Sequence, residues 1–235
     1  MAGPVIPNFG HGSACETGNH AFCTDWVRQH WHDTLEPGLV QHAELAGIAV
    51  AIGFVLAFAL ALVAHRQRRL EQPFAIVSAL VYTIPSIALF QLLIPFTGLT
   101  RTTVEVALVS YTLVIFFPNI VAGLRSAPAV VIEAARGMGL TPFQILTRVE
   151  LPLAVPAIIG GLRIAVVSTV AISTIAGIIL PQGLGYPISV ALKNQPDPFK
   201  TEIYAAGALA VALALTCDLA LVIARRTLVR WNRTA

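Results

Sequence analysis

The stretch Glu133-Ala134-Ala135-Arg136-Gly137-Met138-Gly139-Leu140-Thr141-Pro142-Phe143-Gln144-Ile145-Leu146-Thr147-Arg148-Val149-Glu150-Leu151-Pro152 is a polar island between long apolar runs. Local chemistry predicts two short helices and a hinge. Pro128 suits a first helical position and Gly139 suits the left-handed residue just past a helix end, while Thr141 and Gln144 form a T-x-x-Q capping box with Pro142 at N1. The second helix is expected to stop near Leu151, because the residue before Pro152 is pushed out of the α region. On the first helix Val130, Val131, Ala134, Ala135 and Met138 fall on one stripe, and Glu133 and Arg136 lie on the other side as an i,i+3 ion pair. The small side chains of Ala134 and Ala135 allow close approach by another protein.

Outward from this island the chain is apolar. It has 235 residues, 56% of them hydrophobic and 11% charged, with a mean hydropathy of +0.77. That composition excludes an ordinary soluble globular domain and defines an all-α integral membrane protein. About 20 helical residues cross the hydrocarbon core. Uncharged runs of that length predict five transmembrane helices: Leu45 to Ala64, within Pro73 to Phe96, within Val106 to Leu124, within Leu153 to Leu180, and Ile203 to Ala224. Splitting the long fourth run into two spans would move the basic carboxyl-terminal residues away from the other basic loops, so five spans are read.

Lys and Arg positions orient them. With the amino terminus outside and the carboxyl terminus inside, the inner segments carry Arg66, Arg68, Arg69, Arg125, Arg136, Arg148, Arg225, Arg226, Arg230 and Arg233. The outer segments carry Arg28, Arg101, Lys193 and Lys200. The polar island is therefore expected in the cytoplasm. The net charge of +3 and pI near 9.0 are split among short loops, which is a membrane-orientation pattern and not a nucleic-acid face.

The spacing E-A-A, three residues, Gly139, nine residues, Val149, one residue, Leu151-Pro152 resembles the cytoplasmic "EAA" loop of permease subunits of bacterial ATP-binding-cassette (ABC) importers. The resemblance implies a coupling helix that docks on a separate ATPase subunit, with Glu133, Ala134, Ala135, Gly139, Val149, Leu151 and Pro152 as the matching positions. Val149 stands where the family more often has Ile. Further runs, among them Thr83-Ile84-Pro85-Ser86-Ile87-Ala88-Leu89-Phe90, Gly161-Leu162-Arg163-Ile164-Ala165-Val166-Val167 and Gly183-Leu184-Gly185, resemble permeases for osmoprotectants such as glycine betaine, choline, carnitine and proline, over about residues 40 to 226. This implies an importer of such compatible solutes in the bacterial cell membrane. Its implied partners are ABC ATPase subunits, a second permease subunit in a homo- or heterodimer, and an extracytoplasmic solute-binding protein. A methionine, phosphate or sulfonate ABC permease shares the loop and stays open as an alternative. A secondary transporter needs an inverted repeat or ion-coupling carboxylates in the membrane, and only Asp218 qualifies.

The chain has no phosphate loop, no nucleophile elbow and no H-E-x-x-H helix. No catalytic residue, cofactor or metal site is expected. Residues 1–42 are read as an extracytoplasmic polar tail, residues 43–226 as the transmembrane domain and residues 227–235 as a cytoplasmic basic tail. The tail holds His11, His20, His30, His32, His42, Cys15 and Cys23 without zinc-type spacing and is read as solvated; outside the cytoplasm Cys15 and Cys23 could close a small disulfide loop. Trp26, Trp31, Leu35 and Leu39 suit a helix on the membrane surface with its tryptophans at headgroup depth.

In the second span Tyr82, Thr83, Pro85 and Ser86 interrupt the apolar run. Pro85 cannot donate to the Val81 carbonyl, so a kink is expected, with Ser86, Thr83 or water serving that carbonyl. The kink either only packs or lines the translocation path. Pro181 to Pro187 reads as an outer turn or a re-entrant segment. Arg163 and Asp218 are charges inside spans, at depths of roughly 13 Å and 10 Å from the inner boundary at 1.5 Å per residue. Matching depths on adjacent antiparallel helices predict a buried ion pair; the alternative is that each charge is satisfied separately.

Overall fold

The computed structural model describes residues 18–193 and 198–228. Among them the regular structure is helical: α1 (Thr24–Gln29), a π-helical turn (Trp31–Leu35), α2 (Glu36–Arg66), α3 (Arg68–Thr83), α4 (Ser86–Thr97), α5 (Arg101–Leu124), α6 (Ala129–Gly137), α7 (Pro142–Ile145), a second π-helical turn (Leu146–Glu150), α8 (Leu151–Ala176), α9 (Gly185–Lys193) and α10 (Lys200–Leu228). Four continuous helical segments are long and apolar enough to cross a membrane, and α3 with α4 supplies a fifth, broken crossing bent by 101°.

Three of these elements differ from their sequence reading. The first span starts at Glu36, inside the segment read as polar tail. The second short helix of the polar island does not stop at Leu151 but runs on into the fourth span, because α7, the π-turn and α8 form one helical segment of 35 residues from Pro142 to Ala176. Leu151 is fully helical at φ −61, ψ −48, and the wider π-turn just ahead gives the Pro152 ring room against the preceding turn. At 1.5 Å per residue this segment is about 53 Å long, so it outreaches a hydrocarbon core of about 30 Å. The second span is broken outright rather than kinked. Helix α3 ends as Ile84 N–H bonds the Val81 carbonyl at 3.2 Å, so neither Ser86 nor Thr83 serves that carbonyl. Thr83 Oγ1 donates to the Leu80 carbonyl instead, at 2.7 Å.

Helix α5 is the centre of the fold, packed between α2 and α8. Its partners approach it on small residues, as helices without a hydrophobic drive between them must. On α2 a stripe of Ala49, Gly53, Ala57, Ala61 and Ala64 is buried, and a Cβ added at Gly53 would lie 1.8 Å from Thr112 Oγ1. On α8 a Cβ added at Gly161 would lie 2.7 Å from the Asn119 Cβ. Phe116, Ile120 and Leu124 of α5 fill the half of this core nearer the polar island with α2 alanines and Ala154 and Ala165 of α8.

The opposite end is tied differently. His42 is fully buried; its Nε2 donates to the Val170 carbonyl at 3.0 Å and its Nδ1 accepts from Leu184 N–H at 3.2 Å. One imidazole thus joins α2, α8 and the turn before α9, which the sequence left open as a turn or a re-entrant segment. Trp26, expected at headgroup depth, is 4% exposed, because it stacks on His30 and meets Phe199 edge-on at 5.3 Å. Its apolar ring finds protein before lipid. Cys23 is buried and is not a free thiol. His11 and Cys15, like Arg230 and Arg233, lie outside the described residues.

The Gly53 contact gives a direct test. Gly53→Leu should cost about 1 to 3 kcal/mol or more by overpacking, whereas Gly47→Leu, where an added Cβ meets nothing within 4 Å, should not. Thermal unfolding of the two variants in detergent measures this; equal midpoints would contradict the packing described.

Candidate functional site

The polar island folds as a helix, a hinge and a second helix start. After α6, Gly139 sits at φ +83, a region closed to most side chains. Leu140 N–H bonds the Ala135 carbonyl at 3.1 Å and Gly139 N–H bonds the Arg136 carbonyl at 2.9 Å, the double closure of a Schellman motif. Two residues on, Thr141 Oγ1 accepts from Gln144 N–H at 3.3 Å while Gln144 Oε1 accepts from Thr141 N–H at 2.8 Å. Both halves of the capping box are made, so the corner is held by backbone geometry on each side.

The stripe read from the sequence divides in two. Val130 and Met138 are 75% and 74% exposed, and Ala134, between them at i+4 spacing, is exposed as well. Ala135 is 2% exposed and faces inward. Glu133 and Arg136 are exposed and do not pair. Val149, Leu151 and Pro152 are half-buried in the long helical segment, with Leu151 against the inner core. Of the matching positions, Glu133, Ala134 and Gly139 are exposed, Val149, Leu151 and Pro152 are half-buried and Ala135 is buried.

Glu150 anchors the base of this corner, accepting from His65 Nε2 at 2.9 Å across to the carboxyl-terminal end of α2. Arg125 pairs with Glu71 beside it. Sequence reading missed the His65 contact, since its partner is 85 residues away. The available signal was a histidine at the end of a span, where it needs an acceptor.

At the break of the second crossing Tyr82, Thr83 and Pro85 are exposed and Ser86 is half-buried. The carbonyl freed at Ile84 accepts from the Tyr111 hydroxyl of α5 at 2.5 Å. Tyr111 was also missed; a phenol in an otherwise apolar span needs a partner. Deep in the spans, Arg163 of α8 donates from Nε to Asp218 Oδ1 at 2.7 Å and from Nη2 to Oδ2 at 2.8 Å. The fork is bidentate, the geometry that suits guanidinium and carboxylate best. The sequence reading expected a buried pair; instead the side chains are 35% and 26% exposed toward a cavity of about 720 Å³ whose wall includes Asn119, Gly160 and Ser168. The residues of the break do not line it. Among the described residues no three His, Cys, Asp or Glu side chains converge as metal ligands do.

A bundle of four long apolar helices and one broken pair, with a capped corner between two of them, defines a multi-pass membrane protein. Residues 40–229 match the family of binding-protein-dependent transport system inner membrane components. The chain belongs to that family and is an ABC-type permease of a bacterial cell membrane. It is 35% identical over 178 residues to the osmoprotectant import permease protein OsmW of Salmonella typhimurium, covering 74% of this chain and 81% of that protein. It is 30% identical over 189 residues to the choline transport system permease protein OpuBB of Bacillus subtilis, covering 80% and 85%. The fold is that of an inward-facing MetNI methionine ABC transporter chain, with a TM-score of 0.75 at 22% identity over 86% of this chain and 98% of the other.

The ion pair can be tested as a pair. Arg163→Ala and Asp218→Ala should each lower membrane abundance and thermal stability, because each strands a charge among apolar spans. The double variant should lose less than the two losses added; strict additivity would show that the charges do not support each other.

Proposed function

We propose that this chain is the pore-forming subunit of an ATP-driven importer of compatible solutes, the quaternary amines glycine betaine, choline and carnitine, or proline. The observation that carries the coupling half of this reading is the exposed Val130, Ala134 and Met138 face on a corner held rigid by the Schellman closure and the capping box. An apolar face of this kind, just ahead of a segment longer than the membrane, suits the cleft of a separate ATPase. The solute half rests on the names of the relatives, which import osmoprotectants and choline.

In this reading residues 1–42 lie outside and residues 227–235 inside, as the Lys and Arg count requires. Two permease subunits frame the path, an extracytoplasmic binding protein delivers the solute, and ATPase subunits dock under the corner at Glu133, Ala134 and Gly139. Ala135, Val149, Leu151 and Pro152 position that surface. The break at Tyr82, Thr83, Pro85 and Ser86 offers a hinge beside the path, since its two limbs, of 16 and 12 residues, are each too short to cross alone. No step of ATP hydrolysis belongs to this chain.

The test is uptake of labelled betaine, choline, carnitine and proline into proteoliposomes holding the permease with its candidate ATPase and binding protein. Uptake should require ATP and survive collapse of the proton gradient. Uptake that persists without ATP and follows the proton gradient would contradict an ABC mechanism; ATP-driven uptake of methionine, phosphate or a sulfonate instead would move the solute assignment.

A further inference from the structure

The cavity beside Arg163 and Asp218 has a chemistry that packing alone does not require. Charges in hydrocarbon are costly enough that they point to protein or to water. Here both side chains are joined to each other and still open, by 35% and 26%, onto the same cavity. Two of the five guanidinium N–H donors are used on Asp218, which leaves three. Asn119 Nδ2 is engaged with the Ile115 carbonyl at 2.7 Å, so its Oδ1 remains as an acceptor, and Ser168 adds a hydroxyl to the wall. The rest of the lining is apolar and includes Ala157, Ile164 and Ala214.

The volume, about 720 Å³, lies in the range of small-molecule sites. A positive and a negative group, fixed side by side on α8 and α10, present a dipole of fixed direction. Its complement is a molecule that carries both charges. Gly160 shows that the cavity has spare room, since a Cβ added there meets nothing within 4 Å.

We propose that Arg163, Asp218, Asn119 and Ser168 form a station on the translocation path for a small zwitterionic solute. The solute carboxylate takes the remaining Arg163 N–H donors, and its cationic end lies beside the Asp218 carboxylate. A quaternary ammonium has no N–H to give, so Asp218 holds it by charge alone, and loose holding suits a site that must also release. This assignment rests on the reading of the chain as a compatible-solute permease and adds where, and by which groups, the solute is met.

The experiment is uptake of labelled glycine betaine by the reconstituted complex, expressed per amount of purified complex. Gly160→Leu pushes a side chain into the cavity and touches neither charge; uptake should fall about tenfold or more, as for a site that has lost its fit, while the complex keeps its size and its ATPase. Wild-type uptake by Gly160→Leu would overturn the proposal. Dissociation of that complex would overturn it too, because the face would then be a contact between subunits. The reversed pair Arg163→Asp with Asp218→Arg keeps the salt bridge and inverts its dipole, so assembly should return while betaine uptake stays about tenfold down. Wild-type uptake by the reversed pair would show that the charges only join helices. If the reversed pair does not assemble, the Gly160→Leu result decides alone. A wild-type complex that carries no zwitterion at all would refute the solute reading itself, an outcome distinct from a loss confined to the variants.

Discussion

Everything in this fold depends on how closely α2 and α8 can approach α5. Helices in lipid gain little by hiding apolar side chains from one another, so association rests on contact, and contact needs small residues. Gly53 against Thr112 and Gly161 against Asn119 are such contacts, and the alanine stripe of α2 extends the first along the length of the span. With α5 gripped from both sides, the charged and polar groups on α8 and α10 acquire fixed places. The Arg163 fork to Asp218 is possible because α8 is held in register by Gly161, two residues away.

The same rigidity links the two ends of the proposed mechanism. The corner beyond Pro142 and the residue Arg163 lie on one helical segment, from Pro142 to Ala176. From Ile145 to Arg163 is about 27 Å of helix at 1.5 Å per residue. Between Pro142 and the cavity the chain is continuous helix with no intervening loop. His65 with Glu150 at one end, and His42 with Val170 and Leu184 at the other, bind this segment to α2. The break between α3 and α4 is the contrasting element. Its exposed turn bends the crossing by 101°, and the Tyr111 hydroxyl ties it to α5 at Ile84.

Much of this architecture was legible in the sequence, because lipid demands long apolar runs, and those are a one-dimensional signal. The hinge was legible as well: Gly139, Thr141, Pro142 and Gln144 are local chemistry, and their bonds span three residues. Depth counting put Arg163 and Asp218 at matching levels, but it could not show that the pair opens on a cavity, which depends on where α5 and α10 lie. Local rules failed where a neighbour overrode them. Pro152 was expected to end a helix and instead rides behind a π-turn. Trp26 was expected to meet headgroups and instead meets Phe199. Ala135 was grouped with Ala134 by a stripe too wide to tell which side faces the protein.

The central claim is that the corner after α6 is where this permease meets its ATPase. The direct measurement places a photo-crosslinking amino acid at Met138, exposed on that corner, and in a second variant at Tyr186, exposed at the start of α9 on the opposite side of the bundle. After irradiation of membranes containing the candidate ATPase, Met138 should yield a covalent adduct with the ATPase subunit and Tyr186 should not. An ATPase adduct at Tyr186, with none at Met138, would contradict both the orientation and the coupling surface.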